Sequence, residues 1–86
     1  MFEVYGRNNC VWCDRAKELL EEKNIDFVFK NIEENKAFLA DFKYYFIGAT
    51  TVPKILLRTS DGDDEFTVIG GYKELYEWLK PSTKKS

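Results

Sequence analysis

Apolar and polar residues follow two different periods along the chain, and the changes of period mark its elements. Residues 2–5 alternate apolar and polar side chains and then meet a polar loop, a pattern that predicts a strand. Residues 11–23 instead place Ala16, Leu19 and Leu20 on one stripe, which predicts an amphipathic helix. Asn24 is a residue type that ends helices. The chain therefore opens with a strand and a helix.

The middle of the chain repeats this order. Residues 25–32 contain the apolar run Phe27-Val28-Phe29, whose strand propensity is high, and we expect a central strand that is well covered. Residues 33–46 return to helical spacing, with aromatic side chains at intervals of three and four. This stripe predicts a second helix that packs on the core.

The last part of the chain changes to a hairpin. Residues 54–58 have the pattern of a strand that begins directly after Pro53, and residues 66–69 have that of a further strand. The segment 60–64 between them consists of turn-forming residues, which favours antiparallel pairing. Gly70-Gly71 ends the last strand, and the apolar spacing over 72–80 predicts a third helix.

The element order β-α-β-α-β-β-α predicts an α/β fold. A strand, a helix and a strand in succession form a parallel pair with a right-handed crossover, and the hairpin adds antiparallel strands. We therefore expect a four-stranded mixed sheet flanked by three helices. With 86 residues, 44% of them apolar and 16% aromatic, the chain has the size and core of one domain. We assign residues 1–80 to that domain and residues 81–86 to a flexible tail.

The charge pattern argues against several partners. Thirteen basic and fifteen acidic side chains leave a net charge of −2, and no segment collects enough Lys or Arg to follow a nucleic-acid backbone. No apolar run approaches the roughly 20 residues that cross a bilayer. The start Met1-Phe2-Glu3 has an acid where a secretory signal carries a basic region. We expect a cytoplasmic monomer that binds neither nucleic acid nor membranes.

Histidine is absent, and the two cysteines of the chain are separated by two residues. Without histidine the chain lacks the usual general base and most zinc sites, so its chemistry must use other groups. Cys10 and Cys13 are too few for a structural zinc site and too close in sequence for a fold-spanning staple. A reversible dithiol and disulfide is the favoured use. Two buried hydrophobic cysteines, or a metal site shared between chains, are the alternatives.

The positions of the two cysteines predict different roles. Cys10 ends the first loop at the start of the predicted helix, where the helix dipole and free backbone N–H groups stabilise a thiolate. Arg7 adds a cation upstream, and Lys17 adds another if its side chain reaches back. Cys13 lies nearly one turn into the helix and is expected to be more enclosed. Cys10 is therefore the predicted attacking residue, and Cys13 the resolving one.

Three separated motifs carry a family resemblance, and each falls on the element predicted for it. They are Gly6-Arg7-Asn8-Asn9-Cys10-Val11-Trp12-Cys13-Asp14-Arg15-Ala16-Lys17, Thr51-Val52-Pro53 and Gly70-Gly71-Tyr72. In this order, and over almost the whole chain, they resemble the glutaredoxins. The resemblance implies a thioredoxin-like three-layer fold, a thiol–disulfide oxidoreductase activity with a redox-active disulfide, and glutathione as the reducing co-substrate.

The resemblance also implies a glutathione site around the cysteines. In the family the proline of the second motif is cis, so Pro53 should be cis, and the backbone of Thr51 and Val52 should pair with glutathione like an added strand. Arg7 would face the glycine carboxylate, and Trp12 would flank the reactive sulfur. The γ-glutamyl end would be held at the start of the last helix by five successive residues: Gly70, Gly71, Tyr72, Lys73 and Glu74.

The residues alone leave plainer interpretations of these positions open. Pro53 is then a strand-entry proline, Gly70-Gly71 a strand break, and Arg7 a solvated loop cation. Trp12 could simply shield Cys13.

Three positions depart from the family pattern. Val11 replaces the proline that most dithiol members have after the first cysteine, so the loop gains a backbone N–H and the redox potential is open. Ala40 falls where some members use a glutamine toward the glycine end of glutathione. Lys73 stands where many members carry an acid, which leaves Glu74 as the expected partner of the glutathione ammonium.

We therefore predict a glutathione-dependent oxidoreductase that reduces protein disulfides and glutathione mixed disulfides and needs no metal. Ribonucleotide reductase is a typical substrate of the family. Two alternatives are a thioredoxin-like reductase recharged by a flavoprotein, and a carrier in which Cys10 thiolates of two chains and two glutathiones hold an iron–sulfur cluster. The acidic stretch 61–65 lacks the ligand series of a calcium loop, and we expect a solvated turn there.

Overall fold

A computed structural model describes residues 1–58 and 65–80 of the chain. The seven predicted elements are present in the predicted order: β1 (Phe2–Gly6), α1 (Val11–Glu22), β2 (Phe27–Asn31), α2 (Lys36–Tyr45), β3 (Lys54–Arg58), β4 (Phe66–Gly70) and α3 (Tyr72–Leu79). The predicted turn 60–64, with most of the acidic stretch, and the predicted tail 81–86 lie outside the described residues. Within those residues, no helix combines the length and the apolar character that crossing a membrane requires.

The strands form one mixed sheet in the order β2-β1-β3-β4. β1 pairs in parallel with β2 and antiparallel with β3, and β3 pairs antiparallel with β4, which confirms the predicted parallel start and hairpin. The expectation of a central second strand is wrong. β2 is an edge strand of the described sheet, and Val28 is 40% exposed. An apolar run also suits an edge strand whose inner face is covered, and Phe27 and Phe29 pack on the core in this way.

Hydrophobic side chains cover both faces of the sheet. The larger cluster joins the sheet to α1 and α3 and comprises Phe2, Val4, Ala16, Leu19, Leu20, Ile55, Ile69 and Leu75. On the opposite face, Tyr5 and Leu56 pack with Phe42 and Phe46 from the second helical segment. The sheet therefore lies between two helical layers, which is the predicted three-layer arrangement.

Polar groups set the ends of the first two helices. Asn24 has a φ of 57°, and its N–H and the next one bond back to carbonyls of the last turn of α1, so this residue ends the helix as predicted. α2 begins at Lys36, three residues later than predicted. The reason is Asn35, whose Oδ1 accepts hydrogen bonds from the N–H groups of Ala37 at 2.8 Å and Phe38 at 3.3 Å. Asn35 is thus the N-cap residue.

Candidate active site

Cys10 and Cys13 form a disulfide at the N-terminus of α1, with their Cα atoms 5.2 Å apart. Cys10 is the N-cap residue of the helix: its backbone is extended, and the N–H of Cys13 donates a hydrogen bond to its Sγ at 3.1 Å. The sulfur thus occupies the place that a Ser or Asp oxygen has in other helix caps. Once the disulfide is reduced, this N–H and the positive end of the helix dipole favour negative charge on the Cys10 sulfur.

The two cysteines differ in their access to solvent. Cys13 is completely buried, whereas Cys10 keeps 8% of its surface exposed. Cys13 packs against Gly6 at the end of β1, where an added Cβ would lie only 2.7 Å from the Cys13 sulfur. Thiol–disulfide exchange depends on which sulfur an incoming thiolate can reach. Of the two, Cys10 is the one that solvent-borne groups can approach, and Cys13 is the more enclosed, as predicted.

The loop before β3 lies against the Cys10 sulfur. The Val52–Pro53 peptide bond is cis, as the resemblance implied. The carbonyl oxygen of Val52 lies 4.0 Å from Cys10 Sγ, Pro53 is buried, and Thr51 is exposed. The Thr51 hydroxyl accepts a hydrogen bond from Lys54 Nζ at 3.0 Å. The backbone of Thr51 and Val52 therefore borders the reactive sulfur.

An open cleft of about 350 Å³ adjoins this loop, and we call it the Arg7 cleft. Its lining comes from the first loop, the loop after β2, α2 and the segment before β3: Arg7, Ile32, Phe42, Ala49, Thr50, Thr51 and Val52. Arg7 is exposed, so its charge is accessible to a ligand. Ala40 is exposed on α2 and does not line the cleft. A cation beside an accessible backbone segment suits a small peptide that carries a carboxylate.

The chain reverses between β4 and α3 next to Pro53. Gly70 has a φ of 118°, a conformation that glycine adopts readily and other residues rarely do. An added Cβ on Gly71 would lie 3.5 Å from the Pro53 carbonyl oxygen, so the start of α3 packs on the cis-proline loop. This contact brings the Gly70-Gly71 motif to the same site as the cysteines.

Glu74 caps α3 from within the helix. Its carboxylate accepts a hydrogen bond from the Gly71 N–H at 2.9 Å. Hydrogen bonds from its own backbone N–H and from Gly71 hold the pKa of Glu74 below its usual value. The carboxylate that the resemblance assigns to the glutathione ammonium is therefore ionised, and it also occupies the Gly71 N–H that was expected to face the ligand.

Aromatic side chains line the surface between α1 and α3. The ring of Trp12 lies 5.2 Å from that of Tyr72, and the ring of Tyr72 lies 6.4 Å from that of Tyr76. The Arg15 guanidinium stands 5.0 Å from the Trp12 ring centre. Trp12, Tyr72, Lys73 and Tyr76 together line a concave region of about 360 Å³, which we call the aromatic pocket.

The structure thus places the predicted site residues around Cys10 in two groups. Those near the Arg7 cleft and the cis-proline loop are Arg7, Thr51, Val52 and Pro53, and those on the α1 and α3 side are Trp12, Gly70, Gly71, Tyr72, Lys73 and Glu74. Lys17 is the exception among the cations considered. Its Nζ lies 3.6 Å from an Asp14 carboxylate oxygen and 4.0 Å from the centre of the Phe29 ring, so it pairs with Asp14.

Three further residues of the site were not identified from the sequence. Gly6, directly before a polar run, has the appearance of an ordinary loop glycine, and its contact with Cys13 depends on the fold. Arg15 lies within the first motif without a predicted role. Tyr76 could have been found, because it follows Tyr72 by one helical turn and therefore lies on the same face.

Comparisons with known proteins agree with this geometry. A family model described as Glutaredoxin matches residues 2–60. The glutaredoxin of Enterobacteria phage T4 is 34% identical over 91 residues, which cover 93% of this chain and 100% of that protein. An uncharacterised glutaredoxin-like 8.6 kDa protein in the rubredoxin operon of Clostridium pasteurianum is 43% identical over 35 residues, covering 41% of this chain and 47% of that one.

A solved structure supports the same fold. The glutaredoxin-like NrdH-redoxin of Escherichia coli superposes with a TM-score of 0.65 at 22% identity, over 94% of this chain and 96% of that chain. The predicted thioredoxin-like fold is thereby confirmed.

Proposed function

The chain belongs to the glutaredoxin family, and from this premise we propose that it reduces protein disulfides and glutathione mixed disulfides with electrons from glutathione. Its Cys10–Cys13 pair makes it a thiol–disulfide oxidoreductase. The observation that carries the glutathione dependence is the Arg7 cleft, in which a cation and the backbone of Thr51 and Val52 lie beside the accessible sulfur.

The reduction of a protein disulfide uses the difference in access between the two cysteines. The Cys10 thiolate attacks one substrate sulfur and forms a mixed disulfide, and the other substrate sulfur leaves as a thiolate that takes up a proton. The Cys13 thiolate then attacks Cys10 Sγ and releases the second substrate thiol. The substrate gains two electrons and two protons, and the protein is left with the Cys10–Cys13 disulfide.

Glutathione returns the protein to its dithiol form. A glutathione thiolate attacks Cys10 Sγ, which frees the Cys13 thiol and leaves glutathione bound to Cys10. A second glutathione thiolate attacks this mixed disulfide and leaves as glutathione disulfide. A glutathionylated substrate enters this scheme at the second step, because Cys10 alone removes its glutathione. Cys13 is therefore required for protein disulfides and dispensable for glutathione mixed disulfides.

The residues around Cys10 have complementary roles in this proposal. Arg7 binds the glycine carboxylate, the Thr51 and Val52 backbone pairs with the cysteinyl part, and Trp12 and Pro53 flank the sulfur. The γ-glutamyl end lies toward Gly70, Gly71 and the first turn of α3, formed by Tyr72, Lys73 and Glu74. Lys73 is exposed there and supplies a cation for the γ-glutamyl carboxylate, since the Gly71 N–H is bonded to Glu74.

The test compares the wild type with Cys10→Ser and Cys13→Ser in glutathione-coupled reduction of a glutathione mixed disulfide and of a protein disulfide. Cys10→Ser should abolish both reactions. Cys13→Ser should retain the first and lose the second. Equal loss from both substitutions would contradict the roles of Cys10 as the attacking residue and Cys13 as the resolving residue. A wild-type protein that glutathione fails to reduce would contradict glutathione as the reductant.

The cleft itself is tested by Arg7→Gln. The substitution should raise the KM for glutathione by about tenfold or more, because a charge-assisted hydrogen bond to a carboxylate is worth at least roughly 1.5 kcal/mol. Lys43→Gln is the matched control, since it removes an exposed cation of α2 that does not line the cleft. An unchanged KM in Arg7→Gln would show that the glycine carboxylate binds elsewhere.

A second candidate is a thioredoxin-like reductase recharged by a flavoprotein. Two features favour it: the Gly71 N–H is already bonded to Glu74, and Ala40, at the position of a family glutamine, is an exposed alanine that does not line the Arg7 cleft. The similar NrdH-redoxin is described as having a thioredoxin-like activity profile. Titration of glutathione into the oxidised protein separates the two, with the amide resonances of Arg7, Thr51, Val52 and Glu74 as the readout. Absence of saturable shifts would favour the flavoprotein.

Three finer attributes stay predictions. Ribonucleotide reductase is proposed as one protein substrate, the cytoplasm as the location, and a monomer as the working form. A coupled assay with ribonucleotide reductase and a sedimentation measurement of the free protein test the first and the last.

A further inference from the structure

Two asparagine side chains, Asn8 and Asn31, join the first loop to the end of β2, and we call them the amide clamp. Asn31 Nδ2 donates a hydrogen bond to Asn8 Oδ1 at 3.0 Å. We infer that Asn8 and Asn31 are positioning residues, which hold Arg7 where its charge attracts an anionic group toward the Cys10 sulfur. The inference rests on the proposed role of Arg7 and extends it to two residues outside the lining of the Arg7 cleft.

The clamp and one backbone hydrogen bond restrain Arg7 from both sides. The residue before it, Gly6, accepts a hydrogen bond at its carbonyl oxygen from the Ile32 N–H at 2.8 Å. The residue after it, Asn8, is bonded to Asn31 through its side chain. Within residues 1–58 and 65–80, no backbone-to-backbone hydrogen bond holds residues 7–9. The side chain of Asn8 therefore attaches this loop to the fold beyond Gly6.

Asn31 is a rigid anchor for this attachment. It is 8% exposed, and it lies opposite Gly6 in the parallel ladder of β1 and β2. Its Oδ1 accepts a hydrogen bond from the Glu33 N–H at 2.9 Å, while its Nδ2 donates to Asn8. A buried amide is stable when both of its groups are bonded, as they are here. The position of Asn8 is thus set by the end of β2.

The clamp lies directly behind two residues that line the Arg7 cleft. Arg7 precedes Asn8 in the chain, Ile32 follows Asn31, and both Arg7 and Ile32 belong to the lining. The clamp therefore fixes the separation of these two sides of the cleft. Arginine has a long side chain that loses freedom when it binds a ligand, and a fixed backbone lowers this cost. Loss of the clamp should weaken the attraction of anions without removing the charge.

Glu34 separates this inference from a plain charge effect. Its exposed carboxylate accepts a hydrogen bond from Asn8 Nδ2 at 3.0 Å, so it supports the clamp from the outside. By charge alone, an acid here opposes an anion that approaches Arg7. Glu34→Gln and Glu34→Ala both remove the charge, but only glutamine keeps an oxygen that can accept the hydrogen bond from Asn8. Any difference between these two variants therefore reports on the clamp.

The test measures the alkylation of Cys10 by iodoacetate and by iodoacetamide, two matched reagents with and without a carboxylate. Every protein carries Cys13→Ser, which leaves Cys10 as the single thiol of the chain. In both reactions the Cys10 thiolate displaces iodide, so the ratio of the two rate constants cancels differences in the amount of thiolate. The same ratio for a small free thiol corrects for the reagents. The products are quantified by mass spectrometry, and no glutathione is present.

Asn8→Ala should lower the corrected ratio of iodoacetate to iodoacetamide rates by about threefold, the size of effect of one exposed ion pair. Asn8 is exposed, so this substitution opens no cavity in the core. Asn31→Ala should lower the ratio by the same factor, and Glu34→Ala should have a lower ratio than Glu34→Gln. Added salt should lower the ratio of the Cys13→Ser parent, because it screens the charge of Arg7.

A double-substitution cycle tests whether the clamp acts through Arg7. Arg7→Gln should lower the ratio by at least as much as Asn8→Ala does. Asn8→Ala should then change the ratio no further in the Arg7→Gln background, because the charge that the clamp positions is already absent. A further decrease of the same size in that background would overturn the inference, since the clamp would then act without Arg7.

Three other outcomes would also overturn the inference. The first is an Asn8→Ala protein with the parent ratio, whether or not Asn31→Ala folds. The second is an equal decrease of both rate constants, which would indicate a contact that only stabilises the loop. The third is an Arg7→Gln protein with the parent ratio, since Arg7 would then attract no anion toward Cys10. Failure of glutathione to reduce the wild type would contradict only the glutathione dependence, because these ratios are measured without glutathione.

Discussion

The close approach of β1 to the reactive pair depends on a single residue, Gly6. An added Cβ at this position would lie 2.7 Å from Cys13 Sγ and 2.8 Å from Phe29 Cε1, closer than such atoms pack in folded proteins. Gly6 is also paired with Asn31 in the parallel ladder of β1 and β2, which restrains its backbone. The buried position of Cys13 therefore requires a residue without a side chain at position 6.

Gly6→Ala should lower the free energy of unfolding by about 1–3 kcal/mol, the usual effect of overpacking a filled core. It should also displace the Cys13 sulfur, so reduction of protein disulfides should fall more than reduction of glutathione mixed disulfides, which needs Cys10 alone. Urea unfolding of the reduced protein and the two activities provide the measurements. In a Cys13→Ala background the cost should shrink, because the closest clash is with Sγ. If Gly6→Ala lowered the free energy of unfolding equally in the wild-type and Cys13→Ala proteins, the clash with Cys13 Sγ would not be the cause.

At the scale of the elements, the start of α3 is stabilised by the third residue of the helix itself, Glu74. Its N-cap position is Gly71, which has no side chain to offer, and Glu74 supplies a carboxylate in its place. The arrangement keeps negative charge at the helix end where the dipole favours it. The Gly70-Gly71 turn can thus lie close to the cis-proline loop while the helix remains capped.

This cap should be sensitive to acid. Hydrogen bonds from its own N–H and from Gly71 lower the pKa of Glu74, so the cap is complete above the ordinary pKa of a glutamate and is lost as the pH falls through the lowered value. In an NMR titration the Gly71 amide resonance should move with that lowered pKa. Glu74→Gln keeps an acceptor oxygen and removes the charge, and it should abolish the movement. A Gly71 resonance that titrates equally in the variant would exclude Glu74 as its partner.

The sequence predicted each element because strands and helices depend on neighbours a few residues apart. The start of α1 could be predicted in this way. The late start of α2 could not, because it depends on the Asn35 side chain, which accepts hydrogen bonds from backbone N–H groups of the first turn. The edge position of β2 could not be predicted from local sequence, because it depends on the pairing of β3 with the other side of β1, which joins residues far apart in the chain. For the site, motif order located the two cysteines and the cis proline, but the Glu74 cap and the aromatic pocket required the packing of α3.

At the scale of the whole molecule, Glu3 joins three strands on the face covered by α2. Alternation places Glu3 on the polar side of β1, yet it is buried, because a central strand is covered on both faces. Its carboxylate accepts hydrogen bonds from Lys30 of β2 at 3.1 Å, Arg58 of β3 at 2.9 Å and the Tyr5 hydroxyl at 3.1 Å. Burial alone would raise the pKa of Glu3, but these donors outweigh it and lower the pKa.

The Glu3 cluster should therefore contribute to acid unfolding of the domain. A lowered folded pKa means that the unfolded state binds more protons, so the contribution is full above the ordinary glutamate pKa and is lost as the pH falls through the folded value. Glu3→Gln should cost about 3 kcal/mol at neutral pH, because it leaves two cations beside a neutral group in a largely buried site. It should also flatten the acid slope of the free energy of unfolding, measured by urea unfolding from pH 7 downward. Asp14→Asn, which breaks the exposed pair with Lys17, should cost less than about 1 kcal/mol. If both substitutions cost the same, the cluster would be no more than another surface ion pair, and the acid sensitivity of the fold would have to come from other carboxylates.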